Sequence, residues 1–286
     1  MPDSAEQLAE LLDLETIDVN LFRGIQPDTM LQRVFGGQVA AQALVAGART
    51  VTDPLTVHSL HSYFLLPGDT AVPIVYDVES IRDGRSFSTR RIVARQHGRA
   101  IYFMTASFQV PEDGFEHQDV MPDVPSPEDS IDMAEVIRER LPDRAEEWLR
   151  EWAALELRFV ADSRTGGGLF SGDRPAQSRL WIRVSGELSQ DPVLHRAGFT
   201  YASDMTLLGS TLVPHGVHVS DPMMQSASLD HTIWFHRDFR VDEWLLYDQV
   251  SPSASGGRGL AIGRLFTRDG TLVASVAQEG LIRRRK

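Results

Sequence analysis

The chain has 286 residues, 28 of them basic and 40 acidic for a formal net charge of −12, with 42% apolar residues and no cysteine. Such a composition belongs to a globular protein and excludes a disordered, collagen-like or membrane chain. The acidic balance disfavours a nucleic-acid partner, whose phosphates demand a basic footprint. The missing thiols exclude disulfides, thiolate-bound zinc, iron–sulfur clusters and a cysteine nucleophile.

Residues 1–20 mix acids with leucines and carry no basic segment followed by an apolar run, which predicts no signal peptide. Gly36-Gly37-Gln38 leads into Val39, Ala40, Ala43, Leu44 and Gly47, a helical spacing built from small side chains. Runs rich in β-branched and aromatic residues follow at 58–66, 71–81, 86–96 and 100–110. Gly68-Asp69, Asp83-Gly84 and His97-Gly98 punctuate them as turns. Residues 111–157 then hold 15 acids and 4 bases, eleven of the twelve net negative charges, together with five prolines. The first part, to Ser130, reads as an exposed connector. The second reads as an acidic, solvated surface helix broken near Leu141-Pro142.

Beyond the connector, residues 180–187 predict a strand. Ser203-Asp204 then opens a helix with Met205, Leu207, Leu208 and Leu212 that ends at Pro214-His215-Gly216. Further strands are expected at 228–235, 244–250, 258–266 and 272–282, with Asp269-Gly270 as a hairpin turn. No apolar run reaches the roughly 18 residues of a spanning helix. The last residues, Arg283-Arg284-Arg285-Lys286, match no common address signal. The expectation is a soluble, cytoplasmic protein without a membrane span.

The two flanks of the connector resemble each other. Ser59-Leu60, Tyr76-Asp77 and Gly98 recur as Ser228-Leu229, Tyr247-Asp248 and Gly270, at offsets of 169, 171 and 172 residues. Each flank also orders its elements as a helix followed by hairpin-linked strands. Hairpin turns argue for antiparallel pairing, because parallel strands need long crossovers. The picture is an α+β fold in which each half wraps a sheet around one helix rich in small residues.

Several chemistries fail on pattern. Gly168-Leu169-Phe170-Ser171-Gly172 misses the Gly-x-Ser-x-Gly nucleophile elbow by one position. Gly257-Arg258-Gly259 has the wrong spacing for a dinucleotide loop and precedes a strand. His215 and His218 lie three apart without a third converging ligand, so no metal site is expected. Ser203 and Asp204 are common helix caps as well as possible catalytic groups, and these residues alone favour the cap.

A resemblance supplies what pattern does not. Phe35-Gly36-Gly37-Gln38-Val39, His58-Ser59-Leu60-His61-Ser62-Tyr63-Phe64 and Met104-Thr105-Ala106-Ser107-Phe108-Gln109 carry it in the first half. Tyr201-Ala202-Ser203-Asp204, the block from Ser228 to His236, Glu243-Trp244-Leu245-Leu246-Tyr247 and Ala277-Gln278-Glu279-Gly280 carry it in the second. Over nearly its full length the chain resembles the type II acyl-CoA thioesterases of the TesB family. That resemblance implies a double hotdog fold, divided here as residues 1–110, an acidic connector 111–157 and residues 158–286. It implies hydrolysis of acyl-CoA by a directly attacking water held by Asp204, Ser228 and Gln278, with no cofactor and no metal, in a homo-oligomer. The alternatives are a hotdog hydratase or dehydratase acting on acyl thioesters, and a non-catalytic acyl-CoA-binding protein. At a helix start Asp204 would stay charged and be a weak base. The repeat offsets set Ser59 and Ala106 where the second half has Ser228 and Gln278, and Gln38, at the first helix start, stands roughly where Asp204 does, which implies a single working site. His58 is expected to be a buried strand histidine.

Overall fold

The computed structural model describes residues 1–164, 168, 176–219 and 221–285. Of the near-elbow at 168–172 only Gly168 falls among them, and Lys286 lies outside. The first half begins with α1 (Ala5–Leu12), capped by Ser4, and the short strands β1 (Glu15–Asp18) and β2 (Leu21–Gly24). Next comes α2 (Gly36–Ala48), followed by β3 (Thr56–Phe64), β4 (Ile74–Asp83), β5 (Phe87–Gln96) and β6 (Arg99–Gln109). His97 and Gly98 take φ of 49° and 72°, the left-handed pair that a two-residue hairpin between β5 and β6 requires.

The connector holds β7 (Ile131–Asp132), α3 (Met133–Arg140), a 3₁₀ turn at Pro142–Arg144 and α4 (Ala145–Glu151). The helix break at Leu141-Pro142 is therefore real. The segment is more than a solvated linker, because α3 buries Val136 and Ile137 and α4 buries Ala145. After it come β8 (Leu155–Asp162), β9 (Ala176–Val184), α5 (Pro192–Thr206) and a 3₁₀ segment at Leu207–His215 closed by left-handed Gly216. β10 (Met224–Ser228), β11 (Asp230–Phe235), β12 (Leu245–Ser255), β13 (Arg258–Thr267) and β14 (Leu272–Arg284) complete the chain.

All strands belong to one sheet in the order β1-β2-β4-β5-β6-β3-β11-β14-β13-β12-β9-β8-β7, with β10 also on β14. Among the described residues every pairing between these strands is antiparallel. The order reads alike outward from the central β3–β11 seam: β3, β6, β5, β4, β2 on one side and β11, β14, β13, β12, β9 on the other. This is the double hotdog arrangement, α+β, and it gives the sequence repeat a structural meaning. At the seam Ser59 stands opposite Trp234 and Tyr63 opposite Asp230.

Inside this sheet α2 is buried from Gly37 to Gly47, which only a helix without a polar face tolerates. Its two large polar groups there are satisfied: the Gln38 amide donates to Gln26 Oε1 at 3.0 Å, while the Gln42 amide donates to Leu11 O at 2.8 Å and its carbonyl accepts from Tyr76 Oη at 2.7 Å. α5 packs against α2, with the rings of Phe35 and Tyr201 edge-to-face at 5.2 Å. One expectation is corrected here. α5 starts at Pro192, where Asp191 is the N-cap and accepts from Val193 N–H at 2.9 Å, so Ser203 and Asp204 occupy its last turn. Asp191-Pro192 is the start signal, a capping acid followed by proline at the first helical position. Among the described residues no helix is long and apolar enough to cross a membrane.

Candidate active site

Two side chains from separate strands meet on one carboxylate oxygen of a third residue, on α5. Ser228 Oγ, at the end of β10, donates to Asp204 Oδ1 at 3.0 Å. Gln278 Nε2, from the middle of β14, donates to the same oxygen at 2.5 Å and to Ser228 Oγ at 2.8 Å. Gln278 is fully buried, whereas Asp204 and Ser228 keep partial access. The structure thus brings together the three residues singled out from the sequence.

The first half closes this site from the other side. The N-cap residue of α2, Phe35, makes no side-chain capping bond, and the Gly37 N–H faces the Asp204 carboxylate instead, where it favours the charged form. Asp204 therefore sits at the positive end of α2 although it belongs to α5. The approach is close enough to require glycine. A Cβ on Gly36 would lie 2.6 Å from Asp204 Oδ2, and one on Gly37 would lie 2.2 Å from the Tyr201 carbonyl oxygen.

Burial raises the pKa of Asp204 from 3.8 to about 6, against the opposing pull of the bonds from Gln278, Ser228 and Gly37. The expectation of a weak base is corrected accordingly: the raised pKa makes the Asp204 carboxylate a stronger one. The tyrosines Tyr102 and Tyr247, both buried, feel the Asp204 charge and are themselves pushed upward, chiefly by burial. A carboxylate whose pKa lies near 6, with one oxygen held by two donors, is suited to accept a proton from a small molecule.

The other candidates fall elsewhere. His58 Nε2 lies 2.8 Å from Ser107 Oγ and its ring meets Phe87 edge-on, a structural position in the first half. Gln38 donates to Gln26 at 3.0 Å, and Ser59 and Ala106 are buried in the sheet. Among the described residues no group of three metal-ligating side chains is placed to hold an ion. The backbone N–H groups at Gly36–Gln38, candidate oxyanion donors on the sequence, open α2 beside the cluster. His231 escaped the sequence reading as a site group, being one residue of a longer block. Beside the cluster a cavity of about 570 Å³ reaches Met205 and Thr206, the two residues after Asp204. Its apolar wall comes from Val136 and Ile137 of α3 together with Trp148, Trp152, Leu157 and Val213, so the connector contributes to it.

Residues 150–281 match the family profile described as acyl-CoA thioesterase, and residues 25–109 match the profile of the acyl-CoA thioesterase N-terminal domain. Acyl-CoA thioesterase 2 of Haemophilus influenzae is 43% identical over 99% of both chains. The crystal structure of acyl-CoA thioesterase II TesB2 from Mycobacterium marinum superposes with a TM-score of 0.83 at 45% identity, covering 98% of this chain and 99% of that one. A hot dog protein of unknown function from Alicyclobacillus acidocaldarius, 21% identical, shares the fold with a TM-score of 0.78 over 98% of this chain and 99% of its own.

Proposed function

This chain belongs to the acyl-CoA thioesterase family, and from that premise we propose that it releases fatty acid and CoA by direct attack of a water held by Asp204, Ser228 and Gln278. The observation that carries the reading is the convergence of Ser228 Oγ and Gln278 Nε2 on Asp204 Oδ1. Water enters against the carboxylate. Asp204 takes one of its protons while the oxygen attacks the thioester carbonyl carbon. The tetrahedral intermediate expels the CoA thiolate, which recovers that proton, so acid and thiol leave and the carboxylate is regenerated. Gln278 cannot act as a base; its N–H groups orient the reacting set, and Ser228, both donor and acceptor, aligns the water. N–H groups at the start of α2 that Asp204 does not use are the source of oxyanion stabilisation.

The acyl chain runs past Met205 into the cavity beside the site. Each methylene that leaves water against these apolar walls contributes about 0.8 kcal/mol to binding. The division into residues 1–110, 111–157 and 158–286 belongs to the same proposal, with one site per chain. So does self-association through a sheet edge, for which β1, exposed along its whole length, is the candidate strand.

The test is thiol release from palmitoyl-CoA, which separates hydrolysis from hydration of the acyl chain and from binding alone. Asp204→Asn, Ser228→Ala and Gln278→Ala are each expected to lower kcat by about 10²- to 10³-fold. Full turnover in any folded member of the set would remove that residue from the mechanism.

A further inference from the structure

Two buried polar atoms near the site are left without a hydrogen bond, Gln278 Oε1 and His231 Nδ1, and the β11–β14 register that sets Thr232 against Ala277 places their residues opposite each other. They belong to neighbours, since the Gln278 side chain acts on the proton affinity of the His231 ring as a hydrogen-bonding group. The other ring nitrogen, Nε2, lies 2.8 Å from Ser203 Oγ, on the residue that precedes Asp204.

The backbone explains how His231 arrives there. Ser228 and His231 are three residues apart, so in a regular strand their side chains would point to opposite faces. Along β10 Ser228 pairs with Gly280, whereas along β11 Thr232 pairs with Ala277. One extra residue therefore sits between them on this side of the ladder, at the break around Leu229, and it reverses the alternation. Both side chains consequently face α5, Ser228 reaching Asp204 and His231 reaching Ser203.

Donor and acceptor inventories then leave one consistent pattern. Both N–H bonds of the Gln278 amide are used, one on Asp204 Oδ1 and one on Ser228 Oγ. Its Oε1 can only accept. The ring of His231 is neutral, because complete burial drives its pKa down to about 4, so it carries a single proton. With that proton on Nε2, the lone pair of Nδ1 would face the lone pairs of Oε1. With the proton on Nδ1, that clash becomes a donor–acceptor pair, and Ser203 Oγ–H donates to Nε2 in place of the Thr200 carbonyl 3.0 Å away.

We propose that His231 is a positioning residue for hydrolysis: as the Nδ1–H tautomer it donates to Gln278 Oε1 and so fixes the amide with both N–H bonds aimed at Asp204 and Ser228. The inference rests on the reading of Gln278 as part of the water-holding set. A chain of donors then runs from Ser203 through His231 and Gln278 to Asp204, and it starts and ends on adjacent residues of α5. Without the His231 donor the amide is free to turn over. A turned amide would present its oxygen to the Asp204 carboxylate and undo the hold on the water.

The primary test is ¹⁵N NMR of histidine-labelled full-length protein at neutral pH, with the His231 signals assigned by their loss in His231→Asn. Nδ1–H with unprotonated Nε2 is expected. An Nε2–H tautomer or a charged ring overturns the proposal without any need for an active variant. Kinetics supply the second arm. His231→Phe is expected to lower kcat roughly 10- to 100-fold, the range for loss of an outer-shell orienting group, with KM nearly unchanged. Asn places an N–H near the Nδ1 position and is expected to restore most of kcat, whereas Gln, whose amide falls near Nε2, is not. Equal losses in His231→Asn and His231→Gln, or full kcat in His231→Phe, overturn it. Failure of the Gln278 reading is separately visible: Gln278→Ala would then be active whatever the His231 variants do.

Discussion

Asp204→Asn removes a charge that the fold holds at a cost. An acid whose pKa is raised on folding ionises less readily in the native state than in the unfolded chain, so the penalty is absent well below pH 3.8. It grows as the pH rises towards 6 and is constant above. A displacement from 3.8 to about 6 corresponds to roughly 3 kcal/mol at full ionisation, of which about 2 kcal/mol develops between pH 4 and pH 8. Asn keeps the acceptor that Ser228 and Gln278 use but cannot ionise. Its amide N–H also faces the Gly37 N–H, a cost independent of pH, so the informative quantity is the change in relative stability between the two pH values. Thermal unfolding of wild type and Asp204→Asn, followed at pH 4, 6 and 8, checks it. The variant should gain about 2 kcal/mol on the wild type from pH 4 to pH 8, roughly 4–8 °C in Tm, while thiol release is lost at each pH. A stability difference flat with pH would refute the buried carboxylate of raised pKa.

The same group sets the rate profile. kcat/KM should rise about tenfold per pH unit below 6 and level above it, because only the ionised carboxylate accepts a proton; a profile flat down to pH 4.5 contradicts Asp204 as base. In the cavity, Ile137→Trp should discriminate by chain length, with each methylene it excludes costing about fourfold in kcat/KM while short acyl-CoA is spared. Uniform loss across a series of graded acyl chains would instead put the CoA arm in that cavity.

The fold was legible where local signals were strong. Small residues from Val39 to Gly47 marked α2, and the Asp83-Gly84, His97-Gly98 and Asp269-Gly270 turns set the strand order. The start of α5 was missed by eleven residues because Ser203-Asp204 imitates a cap, and the true cap at Asp191-Pro192 lies before a stretch with little helical periodicity. That error also inverted the electrostatics: Asp204 gains no dipole from its own helix and takes one from α2, a contact between residues far apart in the chain. The raised pKa was equally hidden, since it comes from burial by the whole sheet. His231 was concealed by alternation, because the bulge at Leu229 reverses the face that a regular strand predicts. Read as charge alone, residues 111–157 gave no sign that Val136 and Ile137 line a cavity.

The duplication explains why, among the described residues, the first half does not repeat this cluster. The two helices meet near their ends, and the meeting is asymmetric: α2 offers N–H groups flanked by glycines, while α5 offers the carboxylate in its last turn. A carboxylate at Gln38 would have to abandon the bond to Gln26 and would lie buried one residue beyond Gly37, whose amide already serves Asp204. Two buried carboxylates in that space would also repel each other, and one would stay protonated. Each half has kept what the other lacks. The first supplies backbone donors and close approach, the second supplies acid, hydroxyl and amide, and neither half alone assembles the site.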